Sequence, residues 1–467
     1  MASTIPVIQK TDLRSAIFDH TFPAHPHFPQ LEIASDAELM LEVFRRELKS
    51  LSENSHIDAC LPVRFSFRNS GSCCILQYSL FLAGVHITNN NLWVTATIYP
   101  NLPAAKEAWA HQQSDKLKAD ALSVFRFEPL TFVPELKMVI EVFPHDRLMP
   151  NLSRLMDGGW PELDATFREA LGAADWEIDQ KKLEPLRYVP GETAVIRYTC
   201  KGTNPEKSET THKRFYLKLY RTRYGEEVWG LLRQLRGQGD QNGKRFTVAE
   251  PIAYFPERRG LLLNEAPGRS FQASLLACGD PSIPARRVAR ALAAFHRTSI
   301  RGIRSRSAEE QIQFLGRTTA LLSWALPESS PLVRTLEEEV NQALRDTLLL
   351  PIHWDLKADH IFLQNDALSF IDLDTVCLGD PARDPAHLAA HISCRIEVPD
   401  LSAASARAAA DTLIEEYFGL VPPKWREQFS LQYAIAVVEA ACGLFKRQAP
   451  NWRQRAAQAL KEATRFL

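Results

Sequence analysis

At 467 residues, the chain is long enough for at least two self-stabilising cores, so it does not depend on disulfide staples. Its 55 Lys and Arg against 56 Asp and Glu exclude a global field of the kind that gathers nucleic acid or coats an anionic membrane. The eight cysteines lack metal-type paired spacing and most sit in apolar runs such as Cys73-Cys74-Ile75-Leu76, so reduced, buried thiols of a cytoplasmic protein are expected.

The opening stretch MASTIPVIQKTDLRSAIF has neither a basic region nor a continuous apolar segment. Nowhere do about 18 apolar residues run together, so no leader and no membrane span are expected. Three regions follow in chain order: a mixed α/β stretch over 1–150, a second over 151–265, and a helix-rich remainder over 266–467. Laid on itself with an offset of 120, the chain places Gly71-Ser-Cys-Cys-Ile-Leu-Gln-Tyr78 on Gly191-Glu-Thr-Ala-Val-Ile-Arg-Tyr198. At nearly the same offset, WVTATIYP from Trp93 lies beside FYLKLYR from Phe215, and each is followed by a helical stretch carrying a Trp, Trp109 or Trp229. Dense β-branched and aromatic residues between turn residues predict strands; the spacing of Val228, Leu231, Leu232 and Leu235 predicts a helix. Each copy therefore reads as turn, strand, loop, strand, helix. The alternative is two unrelated units that match by chance.

The copies differ at one chemically telling position. Lys218 sits mid-strand among Tyr216, Leu217, Leu219 and Tyr220, where the first copy has Thr97. An ammonium in an apolar strand needs an anion or a solvent opening beside it, and a phosphate would serve.

The most informative stretch is His353-Trp-Asp-Leu-Lys-Ala-Asp-His-Ile-Phe-Leu363, followed by Leu368-Ser-Phe-Ile-Asp-Leu-Asp374 and Gly379-Asp-Pro-Ala-Arg-Asp384. The strands IFL and LSFI flank the turn QNDA and predict a hairpin with carboxylates at its outer ends. Asp355 and Asp372 are thereby brought close. Two adjacent carboxylates need a cation between them or a shared proton. Magnesium, which takes few protein carboxylates plus phosphate oxygens, points to a nucleotide.

This block resembles the catalytic loop and metal motif of the aminoglycoside phosphotransferase and choline-kinase-like superfamily, His-x-Asp-x-x-x-x-Asn, then Ile-Asp, then Gly-Asp-Pro. The resemblance covers about residues 180 to 445, with FYLKLY as the lysine strand, LLLNEAPGRSF as the hinge and VARALAAFHRTS as the helix before the catalytic loop. It implies an α+β, bilobed protein-kinase-like fold with a β-rich N-lobe over 151–265 and a helical C-lobe over 266–467. The preceding 1–150 is then an extra α/β cap domain, a degenerate duplicate of the N-lobe.

Carried over by resemblance, Asp355 is the catalytic residue that orients the acceptor hydroxyl, and Asp372 holds Mg2+ on ATP. Lys218 contacts the α- and β-phosphates, with Glu226 or Glu227 as its helix partner; Glu227 shares the face of Leu231 and is preferred. Gly191 marks the phosphate loop, although a single glycine gives only one close approach. The backbone of Glu265 and Ala266 marks the adenine-binding hinge. The family's asparagine falls on His360, which is placed at the metal or on Asp355. Asp374 alternates with Asp372 and is expected on the opposite face. Asp380 and Asp384 are expected to organise the loop, His353 to anchor it, and His296 to lie at the core edge.

The activity implied is ATP-dependent phosphoryl transfer to a hydroxyl of a small polar acceptor, a sugar, amino sugar or amino alcohol, bound against the wall LSLQYAIAVVEAACGLFKRQAP. The run Ile414-Glu-Glu-Tyr417 is a faint acidic candidate for an aminoglycoside. The rival is a catalytically inactive nucleotide-binding or scaffold protein, favoured by His360, the poor glycine loop and the degenerate first repeat.

Overall fold

The computed structural model describes residues 22–51, 56–68, 71–83, 92–114, 124–172, 176–204, 209–241, 246–364 and 367–465. The N-terminal stretch up to residue 21 and the centre of the QNDA turn lie outside the described residues.

The first sheet contains β1 (Ile57–Arg68), β2 (Cys73–Leu82), β3 (Leu92–Ile98), β4 (Leu130–Val133) and β5 (Met138–Val142), all antiparallel and ordered β1-β2-β3-β5-β4. The second begins with β6 (Glu177–Val189), β7 (Thr193–Asn204) and β8 (Glu209–Tyr220). After the helix Tyr224–Gln241 and the short β9 (Thr247–Val248), β10 (Pro251–Phe255) and β11 (Gly260–Asn264) close it in the order β10-β11-β8-β7-β6. The two sheets thus share one topology: a three-strand meander, a helix, and a hairpin whose second strand pairs with the meander's third. Register matches too. Thr97 lies between Ile75 and Val139, and Lys218 between Val195 and Leu261. Gly71 and Gly191, with φ of 92° and 65°, turn the corresponding corners, a backbone region open to glycine at no steric cost.

In β7 buried and half-buried residues alternate along the whole strand, as a sheet with one face on a core requires. Ala194, Ile196, Tyr198 and Cys200 join Phe215, Leu217 and Leu219 of β8 in one apolar cluster, which Phe167 of the helix Pro161–Leu171 caps at 4.9 Å from Phe215 and 5.1 Å from Tyr198. The opposite face of β8 carries Tyr216, Lys218 and Tyr220.

The helical half packs Ala308–Ala325, Ser330–Ala343, Arg383–Ser393 and Trp452–Glu462 around the helix Phe429–Lys446, and Ala403–Leu420 lies between Arg383–Ser393 and Ser282–Phe295. By length and composition Pro423–Lys446 could cross a membrane, yet 72% of its apolar window is buried inside the protein. It serves as the core helix of this lobe.

Between the lobes, β12 (Arg269–Ser270), β14 (Ile361–Gln364) and β15 (Ala367–Phe370) form a small sheet with β9, while β13 (Leu350–Ile352) pairs with β16 (Cys377–Gly379). Gly268, with φ of 96°, lets β12 lie against β14: a Cβ there would stand 2.2 Å from the Leu363 carbonyl oxygen. Gly268→Ala is expected to lower the unfolding midpoint by strain of about 1–3 kcal/mol, measurable by denaturant titration.

The first sheet touches both lobes. Phe65 of β1 packs 5.4 Å from Phe445 and 5.9 Å from Trp324 of the helical half. On the other side Arg68 donates to the Pro190 carbonyl at 2.9 Å and pairs with Glu192.

Candidate active site

A cleft of about 310 Å³ lies between the second sheet and Asp355 with the segment 371–375. Lys218 and Asp372 face each other across it. Alternation along β8 sends Phe215, Leu217 and Leu219 into the core and Lys218 into the cleft. Its Nζ is 2.6 Å from both Asp372 Oδ1 and Asp374 Oδ2. Burial lowers the pKa of the ammonium, but the two carboxylates outweigh it and raise the Lys218 pKa. Asp372 is likewise pushed up by burial and pulled down further by Lys218, His360 and Arg187, ending well below the usual carboxylate range. Arg187 of β6 reaches Asp372 Oδ2 at 3.4 Å. Asp372 itself has φ of 59° and opens a short 3-10 turn, Leu373–Thr375.

Asp355 lines the same cleft. Its Oδ2 accepts from Lys357 Nζ at 2.7 Å, and its Oδ1 lies 3.6 Å from His387 Nε2. Burial raises its pKa, yet Lys357, His387 and His360 together hold it well below the ordinary value, so it is ionised throughout the neutral range. His387 and His360 are themselves lowered, chiefly by burial, and are neutral at pH 7. The loop carrying Asp355 hangs on Asp384, which accepts from the backbone N–H groups of His353 (2.7 Å) and Trp354 (2.8 Å). His353 Nε2 in turn donates to the Ile371 carbonyl at 2.9 Å, tying this loop to the residue that links β15 to Asp372.

His360 Nδ1 is 2.9 Å from the Asp355 carbonyl, an acceptor only, so this nitrogen carries the proton. The lone pair on Nε2 then faces Asp372 Oδ2 and Asp359 Oδ1, each 3.7 Å away. Both oxygens of the buried Asp359 have no hydrogen-bond partner among the described residues. Three acceptors facing one another, with only the long Arg187 contact on Asp372 Oδ2 as a donor, suit a cation. Among the described residues no three His, Cys, Asp or Glu side chains gather closely enough to hold a metal unaided. Magnesium that is held mostly by phosphate oxygens and water needs only one or two protein donors, and Asp372 with His360 fits that demand.

Residues 207–420 match the phosphotransferase enzyme family. The resemblance carried by the catalytic block is thereby shown for this segment. No curated protein matches the sequence. Among solved structures, a choline/ethanolamine kinase family protein from Mesorhizobium loti is 13% identical, with 61% of this chain and 87% of that one covered at a TM-score of 0.38. The Plasmodium vivax ethanolamine kinase is 11% identical (69% and 95% covered, TM-score 0.40). A putative aminoglycoside phosphotransferase from Ralstonia eutropha is 13% identical (62% and 92%, TM-score 0.42).

Several expectations need correction. Glu227 is exposed and does not meet Lys218, because Val228, Leu231 and Leu232 occupy the inward face of its helix while Asp374 takes the lysine's second bond. Asp374 is on the cleft side: the left-handed φ at Asp372 breaks strand alternation and turns both carboxylates the same way. Gly191 does not offer its N–H to the cleft, since that group donates to Asp146 Oδ2 at 2.6 Å and Leu148 packs against its Cα; Val189, Glu192 and Thr193 line the cleft instead. At the hinge, Ala266 lines the cleft, but the Glu265 N–H donates to Arg214 and its carboxylate accepts from Arg214 and Tyr216. The helix proposed as an acceptor wall is mostly core and offers Glu439, paired with Arg383 at 2.5 Å. In the run Ile414 to Tyr417, Glu416 is bonded to Arg290 at 2.8 Å and Tyr417 is buried against His296.

Asp380, as expected, organises the loop by accepting from Ala382 N–H and Gln428. The sequence reading missed Arg187, Lys357 and His387. A usable signal existed for the last: Arg383, His387 and His391 recur every four residues on a helix whose residues are almost all buried, a polar stripe that must face polar partners.

Proposed function

We propose that the protein transfers the γ-phosphoryl group of ATP to a hydroxyl of a small polar acceptor, a sugar, amino sugar or amino alcohol. The observation that carries this reading is the convergence of Lys218, Asp355 and Asp372 on one cleft. Ala249, Leu263, Ala266 and Ile371 give the cleft an apolar end at the hinge, suited to a purine ring. Lys218 is held against Asp372 and Asp374 and would exchange one of these carboxylates for phosphate oxygens when nucleotide enters. Magnesium, held by Asp372 and His360, would neutralise charge on the donor phosphates.

Asp355 is too weak a base to remove a hydroxyl proton before transfer. Its role is to accept a hydrogen bond from the acceptor and aim its oxygen, which suffices for a loose phosphoryl-transfer transition state. In this reading residues 1–150 cap a kinase-like N-lobe (151–265) and C-lobe (266–467). The eight cysteines are free thiols, in keeping with a reducing, cytoplasmic setting.

The test is ATP binding by the full chain with and without magnesium, followed by an acceptor screen. Magnesium-dependent binding that Asp372→Asn abolishes supports the proposal; absence of ATP binding by the wild type overturns it.

A further inference from the structure

The face of the first sheet that meets the second carries charge directed at the cleft. β1 has a bulge between Pro62 and Arg64, and such a bulge re-aims the side chains beside it. Phe65 packs on Phe445 and Trp324, whereas Arg64 lines the cleft together with Arg187, Lys218, Asp355 and Asp372. Gln77, the cross-strand partner of Arg64, donates to the Tyr188 carbonyl at 3.3 Å, and Arg68 holds Glu192. This face is therefore seated on the turn over residues 188–192.

The anions in the cleft are already matched by other cations: Glu192 by Arg68, Asp355 by Lys357, and Asp372 and Asp374 by Lys218. Arg64 differs. Among the described residues its guanidinium has no hydrogen bond and no carboxylate within 4.0 Å; Glu192 attracts it from farther away while Arg187, Arg447 and Arg68 repel it. Burial, then Arg187, lowers its pKa to about 10, which leaves it charged at neutral pH. A partly buried cation set among cations is unfavourable until an anion joins it. A guanidinium fork matches two phosphate oxygens. Asn264 and Ala266 line the cleft from the hinge, whereas Arg64 of β1 is grouped with Arg187, which reaches Asp372 Oδ2 at 3.4 Å.

We propose that the N-terminal sheet completes the active site, with Arg64 binding the terminal phosphate of the donor nucleotide. The inference rests on the phosphotransferase reading and adds a residue from outside the segment that matches the family. It makes residues 1–150 part of the chemistry rather than a passive cap.

The test compares wild type, Arg64→Ala and Arg64→Lys in the full chain, measuring affinity for ATP and ADP and the unfolding midpoint without nucleotide. Arg64→Ala should weaken ATP at least tenfold while ADP changes less than twofold, and Arg64→Lys should recover part of the loss. Without nucleotide, Arg64→Ala should be as stable as wild type or more so, since it removes an unmatched charge. Equal ATP affinities for wild type and Arg64→Ala overturn the inference alone; so does a loss shared equally by ATP and ADP, or a lowered midpoint. A wild type that binds no ATP overturns the phosphotransferase reading, and the inference falls with it.

Discussion

Asp355→Asn is expected to lower turnover by about 10³-fold while leaving the affinity for magnesium and ATP within twofold of wild type. The substitution keeps the size and planarity of the side chain, so the loop does not need to move. It removes the charge that draws Lys357 to 2.7 Å, and the acceptor that would receive the substrate hydroxyl. An amide also presents N–H groups on one side, and one of its two positions would point a donor at the incoming hydroxyl. Because Asp372, Lys218 and the hinge are untouched, ground-state binding of nucleotide should persist; the loss belongs in kcat. Pre-steady-state and steady-state rates with one good acceptor, set beside an ATP dissociation constant, separate the two. Unchanged kcat would remove Asp355 from the chemistry. The same geometry fixes the acid side of the pH profile. Lys357, His387 and His360 keep the Asp355 pKa below the ordinary 3.8, so a fall in kcat between about pH 7 and 5 has to come from another group.

The parts of this site that were legible in the sequence are those held by local chain geometry. Asp355 and Asp372 flank a tight hairpin, and two apolar strands four residues long cannot place their ends far apart. Lys218 announced itself by being charged in an apolar strand. The match between Thr97 and Lys218 was readable because equal strand spacing gives equal register. What stayed hidden depends on long-range placement or on one dihedral angle. Arg64 and Arg187 reach the cleft from strands more than 150 residues before Asp372, and nothing local distinguishes them from surface arginines. Asp374 was misplaced because the period of two assumed for a strand fails at the left-handed Asp372. Gly191 was misread because its turn looks like a phosphate loop in isolation, whereas Asp146 and Leu148, from the segment between the sheets, occupy its outer side.

Asp384→Asn should remove activity by a different route, through the fold. Asp384 is fully buried and accepts from the His353 and Trp354 N–H groups and from His296 Nε2 at 2.9 Å. These donors converge from a loop and a separate helix, so one carboxylate fixes the start of the catalytic loop against the C-lobe. Asparagine can accept from donors on one side only, and its NH2 group would face one of these donors. The expected cost is about 3–5 kcal/mol, as for breaking a buried charged network, seen as a lowered unfolding midpoint together with lost turnover. Asp355→Asn, in contrast, should lose turnover with the midpoint unchanged, and that difference distinguishes a residue that acts on substrate from one that holds the loop. The pH dependence has a definite sign. Burial raises the Asp384 pKa, but the His296 bond, with His353, pulls it below 3.8 in the folded state. A depressed carboxylate stabilises the fold fully above its unfolded value and loses that contribution only as pH falls beneath it. Wild type and Asp384→Asn should therefore differ in stability by a constant amount from about pH 5 upward and converge in stronger acid; a gap that instead widened toward low pH would mean that Asp384 is protonated in the native protein.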